Sequence, residues 1–407
     1  MAAALKTCFA GIPLENPFLL ASAPPTTNPE GIARAFEAGW GGAVIKTVQY
    51  TQRAIKRNVT PRIRAVKIGG KIAGFTNFEI GSPKTLDQWA EGIRWLKERF
   101  PERAVIASLL HTDVLIEEEW REVTRIFDQA GADAFELNLS CSHGQAESGC
   151  GAALGGNAEM VEKIVAWICG ETVKPVLPKL TALTSDVPGK GLAAKRGGAA
   201  GIVAINTISS LPGVDLDRFV PYNNVDGQSA FQGMSGHLLK PVALRCVAQL
   251  AEATHLPISA TGGIYTWQDA AEFILLGASS LQVCSAVMEN GYGVVEPMKR
   301  GLLRYMEEKH FSSIEDFCGL ALGRIGKQNA LRRDLRGYAQ VRPEPCTGCG
   351  KCAVVCRDNG YGAISVQQKK AVVDRSRCDG CGLCAQICPA AAIDFAEQKG
   401  TLCREQA

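Results

Sequence analysis

CTGCGKCAVVC (residues 346–356) and CDGCGLCAQIC (residues 378–388) each hold four cysteines in the spacing C-x2-C-x2-C-x3-C. Three thiolates at this spacing bind one four-iron cubane, and the fourth thiolate binds a second one. The two runs therefore predict two [4Fe-4S] clusters in the last quarter of the chain. A pair of zinc ribbons is the alternative, but a ribbon uses two separated C-x2-C pairs per metal and has no need of runs of four.

The same spacing assigns each cysteine of the two runs to one cluster, with three ligands from one run and the fourth from the other. The first set is Cys346, Cys349, Cys352 and Cys388, and the second set is Cys378, Cys381, Cys384 and Cys356. Clusters this close together pass single electrons, so the segment predicts an electron relay that needs a partner at each end.

The composition is that of an ordinary soluble globular protein, since 46% of the 407 residues are hydrophobic and 21% are charged. These values exclude disordered and collagen-like chains. The formal net charge of +3 is too small to indicate a nucleic-acid or membrane partner. The first residues are a poor secretory signal, and no apolar run reaches the ~18 residues of a membrane helix. We therefore expect a cytoplasmic protein whose sixteen cysteines indicate metal or redox chemistry.

Short apolar runs recur along residues 1–290, and most are followed by amphipathic stretches such as 29–38, 86–100 and 113–130. Apolar strands alternating with helices predict a parallel sheet covered on both faces, and eight such units predict a closed α/β TIM barrel. A doubly wound open sheet is the alternative. The eight runs are Phe18–Ala21, Ala43–Lys46, Val105–Leu110, Ala134–Ser140, Pro175–Leu180, Gly201–Asn206, Ile258–Gly263 and Leu281–Ala286.

Polar or reactive residues stand at nearly every predicted strand end, where the catalytic groups of barrels collect. Two of them are lysines, and a lysine buried in a barrel mouth is costly unless it meets an anion or an electron-rich ring. The alternative is that each lysine extends to solvent. The strand-end residues are Ser22, Lys46, Thr47, Asn138, Cys141, Lys179, Thr181, Asn206, Thr207, Gly262, Gly263, Cys284 and Ser285.

The turn Thr261–Ile264 (TGGI) and the later pair Cys284-Ser285 have the form of a barrel phosphate site built from backbone N–H groups. Together with the two lysines they predict a phosphorylated ring cofactor. FMN is the one that converts hydride transfer into single electrons. The chain contains no G-x-G-x-x-G motif, so any NAD(H) is expected on a separate subunit.

A glycine-rich loop follows the fourth predicted strand, and it begins with Cys141 and His143. A cysteine just past a strand end is placed to exchange a proton with a substrate carbon, so Cys141 is the candidate general acid/base. A small buried hydrophobe is the alternative interpretation of Cys141, and Cys150 in the same loop is a competitor. His143 either orients the substrate or adjusts the Cys141 thiol, or it is an exposed loop residue.

Several stretches carry a family resemblance over nearly the whole chain. The chain resembles the catalytic subunits of bacterial NAD-dependent dihydropyrimidine dehydrogenases. Dihydroorotate dehydrogenases share the FMN barrel, but they have asparagine in place of His143 and lack a fused two-cluster domain. The stretches are FLLASAPPTT, RAFEAGWGGAVIKT, ELNLSCSHG, AINTISSL, GMSGHLLKPVALR, ATGGI, LQVCSAV and CRDNGYGAI.

The resemblance implies interconversion of uracil or thymine with the 5,6-dihydro forms, with hydride transfer at C6 by the flavin and a proton at C5 from Cys141. It implies a partner subunit that contains FAD and oxidises NAD(H), and a homodimer within a hetero-oligomer. It places Asn77, Asn138, Asn206 and Thr207 at the pyrimidine, and asparagine amides suit the alternating N–H and C=O groups of an imide. The implied FMN contacts are Ser22, Lys46, Thr47, Lys179, Gly236, Thr261, Gly262, Gly263, Cys284 and Ser285.

The sequence departs from the family pattern in two places. Arg357 stands where proline usually follows the fourth cysteine, which removes no ligand. In the cysteine loop, Ser142 replaces a proline, Ala146 and Ser148 flank Glu147, and Cys150 is unusual. An altered loop keeps two alternatives open: a dihydroorotate-type or other cyclic imide or enone oxidoreductase, and a non-catalytic electron-transfer module.

The predicted organisation is an FMN-binding barrel over residues 1–305, a helical connector over 306–340, a ferredoxin-like domain over 341–395 and a polar tail over 396–407. Cysteines without a motif are interpreted as packing or surface residues. They are Cys8, Cys169, Cys246, Cys318 and Cys403.

Overall fold

The computed structural model describes residues 3–50, 58–111, 116–141 and 152–399. The chain forms two compact units, Met1–Arg324 and Ile325–Ala407, and each is described here by itself. No helix among the described residues is long and apolar enough to cross a membrane.

Eight parallel strands form the centre of the first unit. Each strand pairs with the next along the chain, β8 pairs with β1, and the ring is therefore closed. This closure confirms the predicted barrel and excludes the doubly wound alternative. The strands are β1 (Phe18–Leu20), β2 (Gly42–Val44), β3 (Ala104–His111), β4 (Ala134–Asn138), β5 (Val176–Leu180), β6 (Ile202–Ala204), β7 (Ile258–Thr261) and β8 (Ala278–Val283).

A helix follows each strand and packs its apolar face on the barrel. Side chains cap several of these helices, as Thr85 and Thr266 do by accepting from the backbone N–H of Gln88 and Asp269. The helices are α1 (Pro29–Glu37), α2 (Leu86–Arg99), α3 (Glu117–Gln129), α4 (Ala158–Cys169), α5 (Val187–Arg196), α6 (Lys240–Thr254), α7 (Trp267–Leu275) and α8 (Val295–Glu308). Shorter helices are Ala152–Gly155 and Ser285–Asn290, with 3-10 turns at Pro24–Thr26, His237–Leu239 and Tyr292–Val294.

The barrel interior is apolar at its amino-terminal end. A hairpin of Thr7–Phe9 and Ile12–Leu14 covers this end and packs Phe9 against inward-facing strand residues such as Ala134 and Leu177. Because side chains alternate along a strand, residues two positions further on face the same interior nearer the mouth. These residues include Lys46, Ser108, Glu136 and Lys179.

Further strands accompany the eight strands of the closed ring. A four-stranded antiparallel sheet is made of Ile63–Ile68, Lys71–Asn77, Ile208–Ser210 and Gln232–Ser235. Val48–Tyr50 pairs with β3, and Val214–Asp215 forms a small hairpin with Val220–Pro221. The antiparallel sheet carries two residues of the predicted site region, because Asn77 ends one strand and Gly236 follows another.

The segment after the barrel differs from the predicted helical connector. Helix α8 ends at Glu308, and up to residue 334 the only helices are the 3-10 turns Leu322–Arg324 and Gln328–Ala330. Residues 319–334 contain three glycines and no helical apolar period, so no amphipathic helix forms there.

The described part of the second unit contains two antiparallel strand pairs and two α-helices. Leu335–Val341 pairs along its whole length with Ile393–Lys399, so residues 396–399 belong to a strand and not to the predicted tail. Ile364–Gln367 and Lys370–Val373 form a hairpin. The helices are Lys351–Asp358 and Leu383–Gln386.

Candidate active site and cluster sites

A chain of hydroxyl groups links three strand ends at the barrel mouth. The Ser22 and Thr47 hydroxyls lie 2.9 Å apart, and the Thr47 and Ser108 hydroxyls are also 2.9 Å apart. The Asn138 side-chain amide donates to Thr47 Oγ1 at 3.2 Å. The structure thus brings together residues that are up to 116 positions apart in sequence, from Ser22 to Asn138.

A second part of the network fixes the amide groups. Asn206 Nδ2 donates to Asn138 Oδ1 at 3.1 Å and to Ser140 Oγ at 3.0 Å. Ser140 Oγ donates to Asn138 Oδ1 at 3.1 Å, and Asn206 Oδ1 accepts from the Thr207 backbone N–H at 2.7 Å. These bonds hold the Asn138 and Asn206 amides in defined orientations, which favours rigid recognition of a planar ligand.

Lys46 lies buried at the end of β2 and pairs with a carboxylate that the sequence analysis did not single out. Its ammonium group is 2.8 Å from Glu79 Oε2, and Arg62 contacts the other oxygen of Glu79. Burial opposes ionisation of Glu79, but the charges and hydrogen bonds of Lys46 and Arg62 outweigh it and lower the pKa of this carboxyl group. Asn77 ends the strand before the loop that holds Glu79, and its Oδ1 accepts from the Glu79 backbone N–H at 3.1 Å.

Lys179 takes part in a separate buried cluster with Glu136 and Gln282, which we call the Glu136 triad. Lys179 Nζ lies 3.3 Å from Glu136 Oε1 and 3.3 Å from Gln282 Oε1, and Gln282 Nε2 donates to Glu136 Oε2 at 2.7 Å. Sequence reasoning missed Glu136 and Gln282. The available signal was a charged residue inside the apolar run of β4, two residues before Asn138 and therefore on the same interior face.

Cys284 shows that the two lysines act on one region. Burial raises the pKa of its thiol to about 11, against the opposing charges of Lys46 and Lys179. A thiol with this pKa stays protonated at neutral pH, so Cys284 is no nucleophile there. The neighbouring Ser285 Oγ lies 3.1 Å from Ser235 Oγ, which brings the end of β8 to Gly236.

The glycines of the predicted phosphate site are required by close packing. Gly263 has a φ of +81°, and a Cβ there would lie 2.6 Å from Lys240 Cβ and 2.9 Å from the Lys240 backbone nitrogen. Gly236 has a φ of +97°, and a Cβ there would lie 2.5 Å from the Cα of Gly74. The start of α6 thus lies directly against the turn after Thr261, so only glycine fits at position 263.

Cys141 is half-buried and follows β4 and Ser140 directly. Its carbonyl oxygen accepts from the Ala152 backbone N–H at 2.9 Å, so the strand end is joined to the start of the Ala152–Gly155 helix. The predicted residues His143 and Cys150 lie outside the described part of the chain.

The eight motif cysteines surround two cavities in the second unit. Each cavity is lined by three cysteines of one run and the fourth cysteine of the other run. Among the described residues no three His, Cys, Asp or Glu side chains are grouped to hold a single metal ion. Four cysteines at one cavity, three from one run and one from the other, are the ligand set of a [4Fe-4S] cluster. Cys346, Cys349, Cys352 and Cys388 line one cavity, and Cys356, Cys378, Cys381 and Cys384 line the other.

Backbone N–H groups point at three of the sulfur atoms. Ala363, Ala371 and Ala392 donate to Cys356, Cys346 and Cys388 at 3.3, 3.4 and 3.3 Å. Such donors stabilise negative charge on thiolates. Arg357 is exposed and pairs with Asp358 at 2.8 Å, so it leaves the cavity lining unchanged.

Most described cysteines outside the motifs and the barrel mouth are packed within the first unit. Cys246 and Cys169 have a raised pKa because of burial, and burial raises the pKa of Cys318 to about 11. Cys8 is exposed in the amino-terminal hairpin, and Cys403 lies outside the described residues. Buried thiols of this kind are inert packing groups.

Comparison with known families assigns both units. Residues 4–306 match the family model described as dihydroorotate dehydrogenase, and residues 339–395 match the 4Fe-4S dicluster domain. The chain belongs to the dihydroorotate dehydrogenase family and is an oxidoreductase with a fused 4Fe-4S dicluster domain.

The chain is also similar to individual proteins of known activity. The chain is 38% identical over 369 residues to the NAD-dependent dihydropyrimidine dehydrogenase subunit PreA of Escherichia coli (strain K12), covering 90% of this chain and 88% of that protein. It is 35% identical over 330 residues to the chloroplastic dihydropyrimidine dehydrogenase (NADP(+)) of Arabidopsis thaliana, covering 78% and 77%. It is 36% identical over 317 residues to the catalytic subunit of dihydroorotate dehydrogenase B (NAD(+)) of Pyrococcus furiosus, covering 78% and 98%.

The barrel mouth fits the flavin that this family implies. It offers two buried ammonium groups and a line of hydroxyl groups, together with the close-packed glycine turn after Thr261. Buried cations beside anion-binding backbone are the donor set that a flavin mononucleotide requires.

Proposed function

We propose that this chain is the catalytic subunit of a pyrimidine oxidoreductase that interconverts uracil or thymine with the 5,6-dihydro forms. The observation that carries the proposal is the set of asparagine amides fixed at the barrel mouth. The relatives named as dihydropyrimidine dehydrogenases support the same substrate class.

Hydrogen-bond capacity explains why these amides suit a pyrimidine. Asn77 Nδ2 donates one N–H to the Gly233 carbonyl at 3.0 Å, and Asn138 Nδ2 donates one N–H to Thr47 Oγ1. Each amide has a second N–H that has no acceptor among the described residues. Two fixed N–H donors match the two carbonyl oxygens of a uracil ring.

Asn206 has a different part in this arrangement. Both its N–H groups are used on Asn138 and Ser140, and its oxygen accepts from Thr207. We assign Asn206 to the orientation of Asn138, and the Thr207 hydroxyl to the ligand edge.

Cys141 is assigned as the group that holds and moves the proton. Its Sγ gives a proton to C5 of the pyrimidine in reduction and takes one from C5 of the dihydropyrimidine in oxidation. Its place at the end of β4, three residues after Asn138, supports this role. His143 is proposed to orient the substrate or to adjust the thiol.

The flavin, when bound, exchanges a hydride with C6 and passes electrons singly. Ser22, Thr47, Lys46 and Lys179 would hold its ring system. Gly236, Thr261, Gly262, Gly263, Cys284 and Ser285 would hold the phosphate end.

We further propose that the two cysteine sets bind one [4Fe-4S] cluster each and relay electrons to a partner subunit. That partner contains FAD and oxidises NAD(H), since this chain has no G-x-G-x-x-G motif and one relative is named as a subunit of an NAD-dependent enzyme. The chain is proposed to form a homodimer within this hetero-oligomer. The cysteine-rich composition favours a reducing compartment, which supports a cytoplasmic complex.

A substrate panel tests the proposal. The purified holoprotein is reduced anaerobically with dithionite, mixed with uracil, thymine or orotate, and its products are separated by chromatography. We expect dihydrouracil and dihydrothymine but no dihydroorotate. Dihydroorotate alone would favour the dihydroorotate-type alternative, which the Pyrococcus furiosus relative supports. No product from any of the three would favour a non-catalytic electron-transfer module.

A further inference from the structure

The Glu136 triad is among the most buried polar groups of the barrel. Glu136 is 0% exposed and Gln282 is 1% exposed, and the Lys179 side chain is 6% exposed. The three residues come from β4, β8 and β5, so the triad crosses the barrel interior below the mouth. Burying a charge is costly unless it is paired and hydrogen-bonded, and this triad satisfies both conditions.

The hydrogen bonds of the triad fix which group donates and which accepts. Gln282 donates to one oxygen of Glu136, Lys179 donates to the other, and Lys179 also donates to Gln282 Oε1. An ammonium group has three donors. The described residues therefore use two donors of Lys179, and the third remains for a ligand at the mouth.

The charge balance differs between the two buried lysines. Among the described residues, Glu79 pairs with both Lys46 and Arg62. In the Glu136 triad the single carboxylate faces the single ammonium group, so the net charge is zero. Glu136 therefore decides whether Lys179 adds an uncompensated positive charge to the mouth.

We propose that Glu136, held in place by Gln282, is a positioning residue that lowers the reduction potential of the bound flavin by cancelling the charge of Lys179. The inference rests on the proposed function, because it requires FMN at the mouth. Two-electron reduction gives the flavin negative charge, and an uncompensated buried cation stabilises that charge strongly where the local dielectric is low. The carboxylate keeps this stabilisation small, which leaves the reduced flavin able to pass on its electrons.

The test measures the flavin midpoint potential in the full-length holoprotein by anaerobic spectroelectrochemical titration. We expect Glu136→Gln to favour reduced over oxidised FMN by about tenfold or more, which is about 30 mV upward for a two-electron couple. We expect Lys179→Met to shift the potential downward. A loosened binding site would move both potentials in the same direction, so opposite signs separate charge cancellation from a merely structural effect.

The double variant Lys179→Met/Glu136→Gln keeps the test decisive if Glu136→Gln does not fold. It leaves no unpaired charge in the triad, and we expect its potential to lie above that of Lys179→Met. Asp133→Asn is the matched control, because Asp133 pairs with Lys97 at 2.9 Å just before β4, at the opposite end of that strand. We expect the control to leave the flavin potential unchanged.

The outcomes separate this inference from the proposed function. FMN content is measured first, and a wild-type protein that binds no FMN would contradict the proposed function. If FMN binds but Glu136→Gln leaves the potential unchanged or lowers it, the inference about Glu136 is overturned while the proposed function stands.

Discussion

Single residues at the barrel mouth carry the chemistry, and their positions follow from strand periodicity. Lys46 and Lys179 could be predicted because each stands near the end of an apolar run, where barrel sites form. Two of their partners, Glu79 and Gln282, could not be predicted from local sequence. Glu79 comes from a loop 33 residues after Lys46, and Gln282 reaches Lys179 from a strand 103 residues away. Such contacts depend on the closed ring and not on local sequence.

Replacing Cys141 with alanine tests the proton transfer at this scale. We expect Cys141→Ala to slow pyrimidine reduction by about 10²–10⁴-fold, because a positioned acid/base contributes that much. FMN content should stay unchanged. The measurement is stopped-flow reoxidation of the reduced flavin by uracil.

Cys169→Ala is the matched control for this variant. Cys169 ends α4 and donates to the Gly198 carbonyl at 3.3 Å, away from the strand ends. We expect a wild-type rate for the control. An unchanged rate in Cys141→Ala would remove Cys141 from the mechanism.

Sequence patterns predicted the barrel strands but not the strands outside the barrel. All eight barrel strands overlap the predicted apolar runs, because strands buried on both faces are largely apolar. The bounds differ at three strands: β2 begins one residue before its run, β3 exceeds its run by one residue at each end, and β8 begins three residues before its run. The four-stranded sheet of Ile63–Ile68, Lys71–Asn77, Ile208–Ser210 and Gln232–Ser235 was not predicted. Its strands are partly exposed and come from two distant segments, so no continuous apolar run marks them.

The turn between β7 and α7 gives a prediction about packing. Gly263→Ala places a Cβ against the start of α6, whereas Gly291→Ala meets nothing within 4 Å at a similar φ of +75°. Both variants carry the strain of a left-handed residue, but only Gly263→Ala also overpacks. We expect Gly263→Ala to lower stability by about 1–3 kcal/mol more than Gly291→Ala and to lose FMN. Thermal unfolding and FMN content after gel filtration measure both effects, and equal behaviour of the two variants would contradict this account.

The junction of α6 and α7 gives a prediction about pH. Burial opposes ionisation of Asp269, but Lys240, the Tyr265 backbone N–H and the Thr266 hydroxyl outweigh it and lower the pKa of this carboxyl group. A pKa below the ordinary aspartate value of about 3.9 means that the ionised group stabilises the fold above that pH. This stabilisation is lost as the pH falls from about 3.9 through the lowered pKa of Asp269 in the folded protein.

Asp269→Asn should therefore destabilise the barrel by about 1–3 kcal/mol at pH 7. We expect the same difference from wild type at pH 5 and a smaller one at pH 3. All six tryptophans belong to the first unit, so their fluorescence follows the barrel during thermal unfolding. If the stability difference between wild type and Asp269→Asn grows as the pH falls, the pKa of Asp269 is not lowered in the folded protein.

The whole molecule divides its work between two compact units, one with the barrel mouth and one with two cysteine-lined cavities. Cysteine spacing alone predicted which four cysteines line each of these cavities. The structure of the segment between the barrel and the second unit could not be predicted, because residues 309–334 have no periodic pattern to indicate it.

Removing one cluster ligand tests this division. We expect Cys349→Ala to lower the iron content well below the about eight irons per chain of two [4Fe-4S] clusters, while FMN content and flavin reoxidation by uracil persist. Cys8→Ala is the control, since Cys8 is an exposed cysteine of the first unit, and it should keep all the iron. Loss of FMN together with iron in Cys349→Ala would contradict the independence of the two units.

The most direct test of the central claim is one anaerobic absorbance titration of the full-length holoprotein. Flavin and iron are counted, both centres are reduced with dithionite, and uracil is added in steps. We predict one FMN and about eight irons per chain, and recovery of both the flavin and the cluster absorbance as uracil is reduced. If uracil reoxidises neither centre, or the flavin alone, this chain does not join a pyrimidine site to an electron relay.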